Sequence, residues 1–296
     1  MISPKDIDII FYHYPCQDGL TAGWVADKYA KENKLNYSLY GLDNDKKLLP
    51  VDITGKNLLF MDIAPNEERY KKILAEAKSF YVLDHHKTNQ AFFETLDNKT
   101  NFVFDMKKSG CRLAWEYFYP TVKVPEFLLM VEDRDLWKWE LPESKPFCHG
   151  LYTYSACSDT IGESFGLMTE LCNNPNKVKE VTELGRILQK KMDNNVKFIA
   201  ENTCKKTYIF RGKKVCMANV SHELASDLGN YLCSNYDYDF AVLWRYDHVT
   251  DDYNISMRSV GDKMDVSLLC KEFGGGGHKN AAGCSTKDHP CKVFGQ

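Results

Sequence analysis

The chain has 296 residues, 44% hydrophobic, 27% charged and 13% aromatic, which is ordinary globular composition with room for two modest domains. Lys and Arg total 38 against 41 Asp and Glu, a formal net charge of -3, so the basic excess of a duplex-binding or membrane-surface protein is missing. Disorder, collagen and coiled coil are excluded by the same figures.

Eleven cysteines are scattered without a CxxC pair, which reads as free thiols in a reducing cytoplasm. The opening MISPKDIDIIFYHYP has an apolar core too short for a signal peptide. No run approaches the roughly 18 apolar residues of a membrane helix.

Short apolar runs and helical patterns alternate through the first 120 residues. Ile7–His13 reads as a buried strand, Gly19–Asn33 as an amphipathic helix, Tyr37–Gly41 and Asn57–Asp62 as the second and third strands. Asn66–Lys78 is helical, with Asn66 placed to cap it. Ser79–Leu83 and Asn101–Phe104 are further strands, and Ser109–Tyr119 is a helix behind a serine cap. That rhythm predicts a mostly parallel sheet with helices on both faces. Pro120 to Asn176 is less regular, helical with loops. Lys177–Glu201 is one long helix, with Val178, Val181, Leu184, Ile187, Leu188, Met192, Val196 and Ile199 on its apolar stripe. A second, smaller α/β domain then follows: strands at Thr207–Phe210, Lys214–Asn219, Phe240–Tyr246 and Tyr253–Arg258, helices at Glu223–Ser234 and Val266–Phe273, and a run of four glycines. The expected domains are therefore 1–176, a connector helix 177–202, and 203–296.

In an open parallel sheet, ligands collect beyond the carboxyl ends of the strands. The first strand runs into His13, Cys16, Asp18 and Gly19, the third into Asp62, and the fourth into Asp84, His85 and His86. Glu132-Asp133-Arg134-Asp135 adds a further acidic cluster. Taken singly, each Asp reads as a turn or cap and each His as a satisfied core residue. Three strand ends delivering Asp or His to one rim form a metal-site pattern. Mixed imidazole and carboxylate suit Mn²⁺, Fe²⁺, Co²⁺ or Zn²⁺ better than Ca²⁺. So many ligands have room for two ions, the pairing by which phosphoesterases activate water for in-line attack on phosphorus.

Asp84-His85-His86 at a strand end, with His13, Asp18-Gly19 and Asp62, resembles the DHH phosphoesterase superfamily. Gly274-Gly275-Gly276-Gly277-His278, followed by Ala281-Ala282-Gly283, is similar to the glycine-rich motif of the DHH-associated C-terminal domain, and Met257-Arg258-Ser259 matches that domain as well. Together the motifs span nearly the whole chain. Within the superfamily, the first motif, residues 84–88 and residues 132–137 look most like the oligoribonuclease/nanoRNase-B-type branch.

The resemblance implies a catalytic metal-binding domain, a substrate-binding domain and an active site in the cleft between them. It implies two divalent ions, Mn²⁺ first. Asp18, Asp62, His85 and Asp133 would hold one, His13 and Asp62 the other, with Asp62 bridging. Asp133 is preferred to Asp135 because it stands where the family's fourth-motif acid is expected. Cys16 stands where many members carry an acid; as a thiolate ligand it would favour Zn²⁺ or Fe²⁺ (or Co²⁺), and otherwise it is a bystander. His86 is implied as a phosphate contact and Asp84 as the group orienting a histidine. Arg258, Ser259, Gly275, Gly276, Gly277 and His278 are implied as substrate-binding, with a helix expected to start near His278.

The function implied is a phosphodiesterase or exonuclease using metal-activated water on very short oligonucleotides or cyclic (di)nucleotides, with no long duplex and no membrane partner. A phosphatase or pyrophosphohydrolase on pAp-like nucleotides, and a nucleotide sensor that no longer cleaves, are the alternatives. A homodimer is left open. Trp137, Trp139, Tyr152 and Tyr154 read first as packing residues and second as base-stacking faces.

Overall fold

A computed structural model describes residues 2–42, 49–87, 89 and 101–295; Thr88, the last residue of the Asp-His-His-Lys-Thr motif, lies outside them. The chain divides into two compact units, Met1–Gln189 and Lys190–Gln296.

The first unit is built on five parallel strands, β1 (Ile9–His13), β2 (Ser38–Leu42), β3 (Asn57–Met61), β4 (Ser79–Asp84) and β5 (Phe102–Phe104). They stand in the order β2-β1-β3-β4-β5. Period-two alternation sends Ile10, Tyr12, Leu59, Met61, Tyr81 and Leu83 to one face and Ile9, Phe11, Leu58, Phe60, Phe80 and Val82 to the other. Both faces are apolar because both are covered, as a parallel sheet requires. Each fully buried side chain of this kind contributes about 1.5–3 kcal/mol.

Helix α1 (Gln17–Asn33) starts two residues earlier than its apolar pattern, because the Cys16 thiol serves as its cap and accepts from the Gly19 amide at 3.1 Å. Helices α2 (Glu67–Glu76) and α3 (Gly110–Phe118) begin behind Asn66 and Ser109, the caps their sequences announce. The region read as irregular resolves into three helices, α4 (Glu126–Asp135), α5 (Ser144–Ala156) and α6 (Ile161–Asn173). Trp24, Phe127, Phe147 and Met168 from this helical layer fill one core.

The long helix α7 (Pro175–Asn202) matches its pattern, with one exception. Val181 is buried in the first unit and Val196 in the second, but Ile187, placed on the same stripe, is 73% exposed.

The second unit carries six strands: β6 (Thr207–Phe210), β7 (Lys213–Asn219), β8 (Phe240–Asp247), β9 (Asp252–Ser259), β10 (Gly276–His278) and β11 (Ala281–Thr286). Their order is β10-β11-β9-β8-β7-β6, with only β7 and β8 parallel. Helix α8 (His222–Asn235) covers one face, packing Leu228 and Leu232 on Ala241 and Leu243. Helices α9 (Val266–Glu272) and α10 (Pro290–Phe294) cover the other, around Phe240, Val242 and Met257. The helix expected at His278 is instead the end of a strand. Gly276 and Gly277 pair with Gly283 and Ala282, and Gly277 has φ +138, a conformation a side chain would strain.

Candidate metal centre

Three strand ends and three helices of the first unit meet at the carboxyl rim of the sheet. Asp62, immediately after β3, is 1% exposed and left-handed at φ 59. Its two carboxylate oxygens look in different directions. Oδ2 lies 3.3 Å from His13 Nδ1, at the end of β1, and accepts from the Cys16 thiol at 3.2 Å. Oδ1 lies 3.1 Å from His85 Nε2, just past β4. The first residue of α3, Gly110, passes so close that a Cβ there would overlap the Asp62 side chain.

Asp18, in the first turn of α1 and 2% exposed, accepts from the backbone amides of Gly110 and Cys111 at 2.6 and 2.9 Å. The α3 N-terminus thus supplies two of its hydrogen bonds. Its Oδ2 is 3.6 Å from His85 Nε2, and Asp135 Oδ2, at the end of α4, is 3.5 Å from that same nitrogen. Asp84 is fully buried. One of its oxygens accepts from His86 Nδ1 at 2.7 Å and from the His85 amide at 2.8 Å, and the other accepts from Asn89 at 3.0 Å. Asp84 therefore fixes the ring of His86, as expected of an orienting carboxylate.

The charges are poorly matched. Burial raises the Asp18 carboxyl well above its ordinary value, and Asp62 and Asp135 raise it further. Burial also raises Asp135, although the neighbouring His85 pulls the other way. Burial works against Asp62 too, but bonding to His13 and His85 prevails and holds it well below the carboxylate range. Burial disfavours a charged His85, yet Asp135 and Asp62 raise it well above the usual imidazole value. Burial and the nearby Asp62 keep the Cys16 thiol protonated.

Within the first unit, three sets of donor atoms among the described residues lie close enough to share an ion: Asp18, His85 and Asp135; His13, Cys16 and Asp62; and Asp62, Asp84 and His86. Asp135 Oδ2 is buried and makes no hydrogen bond among the described residues. An orphaned carboxylate oxygen beside two other acids is the signature of a site that needs a cation. The residues present fit divalent ions.

Asp133, the expected ligand, is not brought to this rim. Its carboxylate accepts from the amides of Glu140 at 2.9 Å and Leu141 at 3.2 Å and from the Ser144 hydroxyl, so it is satisfied inside the loop after α4. Asp135 takes the position instead. The presence of both acids in the Glu-Asp-Arg-Asp run was the available signal.

In the second unit, Arg258 donates to Met257 O and Ser226 Oγ at 2.8 Å each. Ser259 is 3% exposed, and its hydroxyl donates to Met264 O at 2.7 Å while Asn280 donates to it at 2.8 Å. Ser259 is thereby held within the connection that follows its own strand. Gly275 donates to Cys270 O at 2.9 Å. Of the aromatic residues, Tyr154 packs against the core and Tyr152 is exposed, whereas Trp137 and Trp139 join none of the hydrophobic clusters.

The first unit is a parallel α/β sheet with carboxylates and imidazoles converging on its carboxyl rim, a donor set that divalent cations would fit. The DHHA1 domain model matches residues 186–293. An uncharacterized protein of Acanthamoeba polyphaga mimivirus is 31% identical over 305 residues, covering 96% of this chain and 68% of its own. Oligoribonuclease NrnB of Bacillus subtilis (strain 168) is 22% identical over 311 residues, covering 96% and 74%. The solved DHH domain of a member of the s1p family of ribosomal proteins has the same fold, with TM-score 0.61 and 13% identity over 98% of this chain and 85% of that one. This chain belongs to the DHH phosphoesterase superfamily and carries its DHHA1 domain. Among the described residues no helix is long and apolar enough to cross a membrane.

Proposed function

We propose that this protein is a metal-dependent phosphodiesterase that hydrolyses very short oligonucleotides or cyclic (di)nucleotides. The carrying observation is the rim itself, where Asp135 Oδ2 is buried without a hydrogen bond beside Asp18 and His85. The similarity to an oligoribonuclease supports the substrate class. The net charge of -3 supports short over long substrates, because an acidic chain gains little from counterion release along a strand.

Asp18, His85 and Asp135 would hold one divalent ion and His13 and Asp62 a second, with Asp62 offering one oxygen to each side. Cys16 joins the second set as a donor. Mn²⁺ is the first choice, since carboxylate and imidazole outnumber the single sulfur. Ions there supply Lewis acidity and ease the deprotonation of water near neutral pH. The protein's own residues orient and neutralise. Asp84 holds His86 by its Nδ1 and favours the protonated ring, against a burial that opposes it, so that His86 answers negative charge developing on a phosphoryl oxygen. Arg258 and His278 of the second unit are offered to substrate phosphate.

On this reading, residues 1–176 are catalytic, 203–296 bind substrate and 177–202 connect them. Eleven reduced cysteines support a cytoplasmic setting. The competing sensor reading draws on Cys16, a protonated thiol where an acid would complete the set. Hydrolysis of a 5′-labelled RNA series from two to twenty-four nucleotides, with cyclic dinucleotides and pAp alongside, in Mn²⁺, decides between them. Turnover of the shortest RNAs, lost in Asp62→Ala and His85→Ala, is expected. Nucleotide binding with no turnover under any divalent metal would leave the sensor.

A further inference from the structure

Beyond the rim, the loop after α4 holds two tryptophans in an arrangement that core packing does not account for. Trp137 and Trp139 have φ 55 and 56, both left-handed. Bulky side chains rarely adopt that backbone, and such strain persists where surrounding bonds enforce it, most often beside functional sites. Here the enforcing group is Asp133. Its carbonyl accepts from the Lys138 amide at 2.9 Å, and its carboxylate binds the amides of Glu140 and Leu141 and the Ser144 hydroxyl. The Trp137 amide donates to Arg134 O at 3.0 Å. A buried carboxylate is thus spent on clasping a loop whose only large apolar groups besides Leu136 and Leu141 are these two rings.

The rings meet edge to face, with centroids 4.9 Å apart and planes at 72°. Among the described residues they join none of the hydrophobic clusters, and both are half-buried. A pair serving only as packing would sit in a core, and a pair under no constraint would avoid the left-handed backbone. Trp137 lies two residues from Asp135, so their Cα atoms are within about 7 Å of each other. The loop that carries the aromatic pair therefore begins at a residue of the candidate cation site.

We infer that Trp137 and Trp139 form a nucleobase platform beside the metal centre, with Asp133 as the positioning residue that keeps the loop in shape. The inference rests on the phosphodiesterase reading for the location of the scissile phosphate and adds to it a requirement for a base. Stacking on an aromatic face is tolerant of base identity because every base has a π-face, so the platform selects nucleotides from other phosphate esters rather than one sequence from another.

The test uses the full chain with Mn²⁺ and two substrates of equal phosphate content, 5′-phosphorylated diadenylate and its abasic analogue. Trp137→Leu and Trp139→Leu are each expected to raise KM for diadenylate about tenfold. Their kcat and their hydrolysis of the abasic compound should stay at the wild-type level, and Trp137→Phe and Trp139→Phe should recover most of the loss. Equal losses on both substrates, or no loss on either, overturns the platform. If the wild type cleaves neither compound, the proposed function fails and the platform is read separately, from quenching of tryptophan fluorescence by diadenylate. Quenching in the wild type that is lost in the leucine variants supports it; absence of quenching in the wild type overturns it.

Discussion

At the rim of the first unit, Asp18, Asp62 and Asp135 surround a single histidine nitrogen, and one of their oxygens is buried without a hydrogen bond. On the mixed sheet of the second unit, Arg258 and Ser259 are bonded to their own strands and to α8, and the glycines close against β11. The contrast locates the chemistry. Crowded buried acids are stabilised by a shared proton or by an external cation, and either one lowers their mutual repulsion. Where polar groups are satisfied from within, they fix shape, and ligand contacts are added to a structure already formed.

The sharpest way to break that contrast is to remove a shared ligand. Wild type is expected to gain in Tm when Mn²⁺ is added, and Asp62→Ala should abolish that gain and lower hydrolysis roughly a thousandfold or more. Persistence of both would mean that the rim holds no ion.

The next largest effect separates two neighbouring acids. Asp133→Asn should cost about 2–4 kcal/mol in urea unfolding, because amides and a hydroxyl lose a buried charged acceptor, while the Mn²⁺ shift in Tm survives. Asp135→Asn should reverse this: the metal-free protein keeps or gains stability as a repulsive charge is removed, and the Mn²⁺ shift disappears. If the two variants exchange behaviours, Asp133 is the ligand after all.

In the second unit, Arg258→Ala should raise KM for diadenylate about tenfold and leave the Mn²⁺ stabilisation unchanged. A loss of that stabilisation would show that the two regions are not chemically separate.

The smallest effect concerns pH. Burial pushes the Asp84 carboxyl up, but His86 outweighs it and holds it below its ordinary value of 3.8. A carboxyl depressed in the folded state stabilises fully above its unfolded value and ceases to do so as pH falls through the folded one. Metal-free wild type should therefore lose stability in that acid range more steeply than Asp84→Asn, as read from urea midpoints at a series of pH values. Parallel curves would remove Asp84 from the account.

Much of this was legible from the chain. The alternation of Ile9 through Tyr12, and its repeats at Leu58–Met61 and Phe80–Leu83, announced a parallel sheet buried on both faces. Asn66 and Ser109 announced their helices. The positions of His13, Asp18, Asp62 and His85 at strand ends marked the rim, since strand ends in such a sheet converge by topology. Ile187 shows where periodicity alone fell short: it fits the apolar stripe of α7 but is exposed, because a stripe records what can be buried and not which neighbours arrive to bury it.

The sequence by itself determined the parallel sheet, the helix starts and the supply of acids and imidazoles at its carboxyl ends, all of which follow from local periodicity and chain order. Only the tertiary structure decided between Asp133 and Asp135. Two residues apart on a helix, their side chains point roughly 200° from each other, so one faces the rim and the other the loop, and the helix's rotation in its packing sets which. The same packing turned the glycine run into a strand closed on β11 and gave Trp137 and Trp139 a left-handed backbone, outcomes of contacts between segments that no local pattern encodes.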